Sequence, residues 1–320
     1  MNYKPILIVA GEPNSVFLEI FFKVLKTQKI KSPIILISSL QLLKLQMRKL
    51  GYKKKIKLLL LDKLEKYKLD NKSINLITVE YHPKKAFGYI SKKTNKYIDD
   101  CFKIAFKILK RGTTYKFLNG PISKKDFLGK KFLGITEYVS HNFKIKKYGM
   151  LIYNKKLSVS TVTTHLPLKL VHKKISYKNI AEKIYLINNF FIKNFNLRPK
   201  IAVLGLNPHC ESIDKFNEDI KIISPTIKKL KRKYSISGPH SADTIFMKNN
   251  KKKYNVILGM YHDQVLAPLK ALYEFDAINI TMGLPFLRIS PDHGPNVEMM
   301  GLNKSNALSL KKALIFLDKN

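Results

Sequence analysis

Tryptophan is missing from the 320 residues, cysteine occurs only twice, and arginine supplies just five of the 60 basic side chains. Cys101 and Cys210 lie far apart and form no motif, which excludes a disulfide framework. No apolar stretch approaches the length of a membrane span, and the opening run MNYKPILIVAGEP meets Glu12 and Pro13 too early for a signal core. The chain is therefore expected to be soluble and cytoplasmic, with no membrane partner. No G-x-G-x-x-G follows the first apolar run, so an ordinary Rossmann dinucleotide site has no support. Internal repeats and low-complexity linkers are absent as well.

Acidic residues are the next scarcity: 22 Asp and Glu stand against the 60 Lys and Arg, a formal net charge of +38. Such an excess raises nucleic acid, an anionic membrane or an acidic substrate as partners. Specific readers of bases and phosphates favour the bidentate fork of arginine, however. Lysine enrichment alongside many Asn, Ile, Phe and Tyr residues is the pattern of drift toward AT-rich codons. No specific nucleic-acid partner is expected; a steep salt dependence of DNA or RNA affinity would reveal one.

What is present is a 45% apolar chain long enough for two ordinary domains. Short apolar runs alternate with amphipathic segments. Strands are predicted at residues 5–10, 33–38, 58–61, 75–79, 115–118, 150–153, 157–163, 200–204, 255–259 and 277–281. Continuous runs such as ILIVA, IAVLG and VILGM suit strands buried on both faces, as in parallel sheets. Helical spacing runs over 177–195, with Ser176 as its cap, and over 217–233 and 305–317. The alternation predicts an α/β fold with largely parallel sheet, in two lobes around a central cleft.

Ligands of open α/β sheets collect beyond the carboxyl ends of strands. Three such ends carry histidine: SVSTVTTHLP ends in His165, KIAVLGLNPH in His209, and NVILGMYHD in His262. A single histidine there is ordinarily a satisfied structural residue. Three of only eight at one topological position are candidate metal ligands, and three imidazoles with an open fourth position describe a catalytic site. Downstream, Lys270 follows in DQVLAPLK, Asn279 interrupts the apolar AINIT, and Arg288 follows in GLPFLRIS. These can hold an anion, because lysine does not replace a planar fork where phosphate or carboxylate is gripped bidentately. Asp243 and Asp263 can orient ligating histidines or move protons, Asp243 having helix capping as its plainer role. AGEP at 10–13, NGPISK at 119–124 and SPDHGP at 290–295 are turn-rich loops after strands.

Taken in order, AGEP, NGPISK, GITEY, TTHLPL, GLNPH, GPHSADTIF, MYHDQ, Lys270, INIT, GLPF, Arg288 and DHG resemble the 4-hydroxythreonine-4-phosphate dehydrogenase family of pyridoxal-phosphate biosynthesis, across nearly the whole chain. The resemblance implies an isocitrate/isopropylmalate dehydrogenase-like fold and a homodimer whose active sites borrow from both subunits. It implies a cofactor-side lobe at 1–135 plus 278–320, and a metal-binding and dimerisation lobe at 136–277. His165, His209 and His262 would bind a divalent metal (Zn²⁺, Mg²⁺ or Co²⁺), one of them across the dimer interface. Thr136, Lys270, Asn279 and Arg288 would bind the phosphorylated substrate. Asp292, His293 and Gly294 resemble the stretch that meets NAD or NADP in the wider fold group.

The implied reaction is oxidation of 4-phosphooxy-L-threonine to 2-amino-3-oxo-4-phosphooxybutanoate, which decarboxylates to 3-amino-2-oxopropyl phosphate. Asp243 or Asp263 is the nominee for proton acceptor. Two departures bear on substrate choice. Ile135 stands where many members have histidine in Gly-His-Thr-Glu, so a hydrogen bond is lost or supplied by Ser123 or Lys124; GEPNSVFLEI also lacks the glycines usual after GEP. The rivals are a dehydrogenase of erythronate- or threonate-type four-carbon sugar-acid phosphates and a metal-dependent hydrolase built on the same histidines.

Overall fold

The computed structural model describes residues 3–129, 131–214, 216–291 and 293–320; Asp292, one of the residues singled out above, lies outside them. The chain divides into two compact units, one ending at Asn142 and resuming as Pro285–Asn320, the other Phe143–Leu284.

The first unit holds β1 (Ile6–Val9), α1 (Phe17–Thr27), β2 (Ile34–Ser38), α2 (Leu40–Lys49), β3 (Ile56–Leu58), β4 (Ile74–Thr78), α3 (Asn95–Lys110), β5 (Lys116–Asn119) and α4 (Ile135–Asn142). The second contributes β6 (Gly149–Tyr153), β7 (Ser158–Thr161), α5 (Tyr177–Phe195), β8 (Ile201–Leu204), α6 (Ser224–Leu230), β9 (Ile236–His240), α7 (Ala242–Ile245), α8 (Lys248–Lys251), β10 (Val256–Gly259), α9 (His262–Tyr273) and β11 (Ile278–Met282). The chain then re-enters the first unit as β12 (Leu287–Pro291) and α10 (Leu308–Lys319).

In the first unit the strands run in the order β3-β4-β2-β1-β5-β12, every pair parallel. All four residues of β1 are fully buried, as its unbroken apolar run requires of a central strand covered by helices on both faces. In the second unit the order is β11-β6-β7-β10-β8-β9; β11, β6 and β7 pair antiparallel, and β7, β10, β8 and β9 are parallel. The α/β class and the largely parallel strands match the expectation from alternation.

Local signals were mostly obeyed. Ser176 caps α5, its hydroxyl accepting the Asn179 amide at 3.3 Å. Four segments depart from the sequence pattern, one of them β12, which carries Arg288 but is not among the predicted strands. The strand expected at 58–61 is shifted: pairing with β4 starts at Ile56, and Leu61 already opens a 3-10 turn. The helix expected at 217–233 is a π-turn at Asp219–Ile223 running into the shorter α6, which starts one residue before Pro225. A strand that apolar periodicity does not reveal, β9, contains Gly238 and Pro239; it lies at the edge of its sheet beside β8, where a missing N–H is tolerated, and its register shifts between Ala202 and Leu204.

The unit boundaries fall seven residues after those read from the sequence at both crossings. Packing explains it. Tyr138 of α4 sits in an aromatic cluster with Phe102, Phe106 and Phe127, ring centroids 5.4–5.9 Å away, and donates to Asp99 at 2.8 Å. That ties α4, and Thr136 with it, to the first unit. β11 pairs along its whole length with β6, which places Asn279 in the second. Among the described residues no helix is long and apolar enough to cross a membrane.

Candidate functional site

In the first unit the polar residues gather at the carboxyl ends of β1, β5 and β12. The AGEP and NGPISK loops close backbone to backbone: the Gly120 amide donates to Val9 O and the Glu12 amide to Pro121 O, both at 2.8 Å. A side chain on Gly120 would overlap the Ala10 carbonyl and the Phe17 ring, so this approach requires glycine. The segment 293–295 reaches the same end, since Val16 N donates to Pro295 O at 3.1 Å, and His293 Nδ1 lies 2.9 Å from Gly294 O.

Arg288 is fully buried in β12, opposite Phe117 of β5. Its Nε donates to Asn119 Oδ1 at 2.9 Å and its Nη1 to Thr136 Oγ1 at 3.3 Å. Burial pushes its pKa down to about 10, with Glu137 opposing the fall, so the guanidinium stays cationic at neutral pH. The buried cation is offset by one amide oxygen, one hydroxyl and the nearby Glu137 carboxylate, the compensation that a charge taken out of water requires. Asn119 and Glu137 were not singled out from the sequence, although both stand inside quoted motifs. Ile135 opens α4 and brings no polar atom here. Ser123 is committed elsewhere, donating to Asp126 Oδ2 at 2.7 Å and accepting the Asp126 amide at 3.1 Å; Lys124 is exposed.

Glu12 is buried beside this loop pair, with Oε1 accepting the Asn14 amide at 3.1 Å and Oε2 facing the Thr94 hydroxyl at 3.4 Å. Burial pushes its carboxyl up to about 7, against the pull of the Asn14 and Thr94 hydrogen bonds. The folded protein thus holds this proton more tightly than the unfolded chain. The stability it contributes is full below about pH 4.5 and is lost as pH rises through about 7. Glu12→Gln keeps an acceptor for Asn14 and offers a donor to Thr94. It should raise stability by on the order of 1–2 kcal/mol at about pH 8 and by almost nothing at about pH 4. Thermal melts of both proteins across that range check it, and parallel pH profiles would refute it.

The second unit carries the histidines. The parallel neighbours β7, β10 and β8 end side by side, and His165, His262 and His209 follow their carboxyl ends in that order. The His165 and His262 rings lie 5.6 Å apart, tilted by 37°. Two imidazoles sharing one ion at about 2.1 Å place their centroids roughly 5–6 Å apart, so the pair fits a common metal. Asp263 Oδ1 sits 2.6 Å from His262 Nδ1, an arrangement that orients a ligating ring and leaves Nε2 for the ion.

His209 stands apart. Its side chain is 73% exposed, its backbone is left-handed (φ 54°) like that of Cys210 (φ 63°), and Asp243 Oδ2 lies 3.9 Å from its Nδ1. Among the described residues no three His, Cys, Asp or Glu side chains converge closely enough to hold a metal. Sequence therefore grouped three histidines of which one chain brings two together. The two nominated acids, Asp243 and Asp263, each lie against one of the imidazoles. Asn279 is half-buried in β11 with its Oδ1 unpartnered among the described residues, and Lys270 lies half-buried near the end of α9.

Fold and side chains together define a class: an α/β enzyme whose polar chemistry is mounted at strand ends. The chain belongs to the pyridoxal phosphate biosynthetic protein PdxA family, whose family model matches residues 29–316, and it is an oxidoreductase of the dehydrogenase kind. It is 39% identical over 233 residues to a 4-hydroxythreonine-4-phosphate dehydrogenase of Sulfurihydrogenibium, covering 71% of this chain and 72% of that protein. It is 28% identical over 325 residues to a D-threonate 4-phosphate dehydrogenase of Salmonella typhimurium, covering 98% of this chain and 99% of that one. The crystal structure of a 4-hydroxythreonine-4-phosphate dehydrogenase from Klebsiella pneumoniae superposes with a TM-score of 0.82 at 26% identity, over 98% of each chain.

Proposed function

We propose that this enzyme oxidises 4-phosphooxy-L-threonine with NAD or NADP to 2-amino-3-oxo-4-phosphooxybutanoate, which decarboxylates to 3-amino-2-oxopropyl phosphate. The observation that carries the reading is Arg288, a fully buried fork held by Asn119 and Thr136 and one of only five arginines among 60 basic residues. Arg288, Thr136, Lys270 and Asn279 bind the phosphorylated substrate and fix its reacting carbon. Asp292, His293 and Gly294 meet the dinucleotide, which supplies the hydride acceptor.

His165 and His262 hold a divalent ion, Zn²⁺, Mg²⁺ or Co²⁺, with His209 reaching it from a second copy of the chain in a homodimer. The pairing of the first two rings and the exposure of the third support this assignment. Such an ion, when bound, supplies Lewis acidity that lowers the pKa of a substrate hydroxyl. Asp263 fixes the ring of His262, and Asp243 or Asp263 accepts the hydroxyl proton.

A second reading is favoured by Ile135 and by the resemblance to the threonate enzyme: the same chemistry on a four-carbon sugar-acid phosphate. The test is the absorbance of reduced nicotinamide with both substrates, before and after chelation and on adding back each metal. Metal-dependent reduction with the threonine phosphate, at a higher kcat/KM than with the threonate phosphate, is expected. The reverse order would hand the function to the second reading, and no reduction with either would overturn both.

A further inference from the structure

A buried polar network lies beneath the three histidines and joins the strand ends that carry them. Its hub is Met260, the residue after β10. The Met260 amide donates to Gln264 Oε1 at 2.7 Å, and the Met260 carbonyl accepts from Thr163 N at 3.1 Å and Thr163 Oγ1 at 2.7 Å. Thr163 lies between β7 and His165. Gln264 then reaches the third strand end: its Nε2 donates to Gly205 O at 2.8 Å, the first residue after β8. One amide side chain on the His262 helix therefore ties the start of the His209 loop to the end of β10.

The next two residues of that loop are held by Asp219, which is 1% exposed. Its Oδ1 accepts the Leu206 amide at 2.7 Å; its Oδ2 accepts the Asn207 amide at 3.0 Å and Asn207 Nδ2 at 2.9 Å. Asn217 Oδ1 in turn accepts the Asp219 and Ile220 amides at 2.9 and 3.2 Å. The glycines make room for these contacts. A side chain on Gly205 would come within 2.6 Å of Asp219 Oδ1, and one on Gly259 within 3.1 Å of Gln264 Oε1. Two residues beyond Asn207 the backbone turns left-handed at His209, a conformation that a loosely held loop would not keep.

We infer that Asp219 and Gln264 are positioning residues that set where His209 stands, and that through it they govern metal affinity without touching the metal. The inference rests on the proposed role of His209. Asp219→Asn puts an NH2 where two N–H donors converge; Gln264→Met keeps the volume and deletes both bonds of the clamp. Each variant should speed hydrogen exchange at the Leu206 and Asn207 amides of the metal-free protein. Each should also weaken Zn²⁺ binding, read by chelator competition, by about tenfold to a hundredfold, the usual cost of losing an outer-shell partner.

The decisive arm is the cycle with His209→Ala. If these residues act through His209, adding Asp219→Asn or Gln264→Met to His209→Ala should weaken Zn²⁺ binding no further. Melting of each metal-free variant identifies any that fail to fold, and the two substitutions check each other. Unchanged amide exchange in both variants, or the same loss of affinity with and without His209, would overturn the inference. Failure of the wild-type protein to bind any of Zn²⁺, Mg²⁺ and Co²⁺ would overturn the metal reading and the claim on affinity with it, while the exchange rates would still decide whether the two residues hold the loop.

Discussion

Arg288→Lys is expected to lower kcat/KM for the phosphorylated substrate by about a hundredfold or more, with little change in the fold. Lysine keeps the charge but offers a compact ammonium in place of a planar fork. The arginine uses Nε on Asn119 and Nη1 on Thr136, and a single Nζ cannot hold both partners and an anion in the same plane. Losing one charge-assisted hydrogen bond costs about 1.5–3 kcal/mol, roughly tenfold to a hundredfold in rate or affinity. Burying an ammonium in a site without solvent adds to that. Steady-state kinetics with melting as the control decides it. A variant that keeps near-full kcat/KM would remove Arg288 from the substrate site. Arg288→Met should lose more and should also destabilise the protein, because it leaves Asn119, Thr136 and Glu137 facing one another without their cation.

Arg288 stood out because arginine is rare in this sequence; of its two partners, Thr136 was named only through the family resemblance and Asn119 was not named at all. Asn119 and Thr136 lie 169 and 152 residues away along the chain, and only the parallel pairing of β12 with β5 brings Asn119 beside it. The parallel core was plain from the unbroken apolar runs, which no amphipathic surface strand would show. β9 stayed hidden since Gly238 and Pro239 are turn residues everywhere except at a sheet edge. The histidines show the same divide. Their common position after strands is a local pattern, whereas the contact between His165 and His262 depends on β7 lying beside β10, which the chain order does not state. Gln264 and Asp219 carried no signal of their own, being ordinary residues made special by which backbone groups they meet.

Removing either kind of histidine should abolish metal-dependent turnover, and mixing the two defective proteins should restore part of it. His262→Ala and His209→Ala should each weaken metal binding by more than about a hundredfold, since even outer-shell partners of a metal are worth about tenfold to a hundredfold. Within one chain His262 is paired with His165 while His209 stands exposed and outside that pair. If His209 serves the site of a second copy, a dimer of one His209→Ala chain and one His262→Ala chain contains one intact site. That site takes His165 and His262 from the first chain and His209 from the second; the other site lacks both. Random re-pairing makes about half of the dimers mixed, so activity should return to about a quarter of the wild-type level. If each chain supplied all three imidazoles to its own site, every site in the mixture would lack one ligand and nothing would return. Unfolding and refolding the two variants together, with each refolded alone as the control, separates the cases. The size of the recovery matters as much as its presence, because a mixed dimer has only one route to a complete set of ligands.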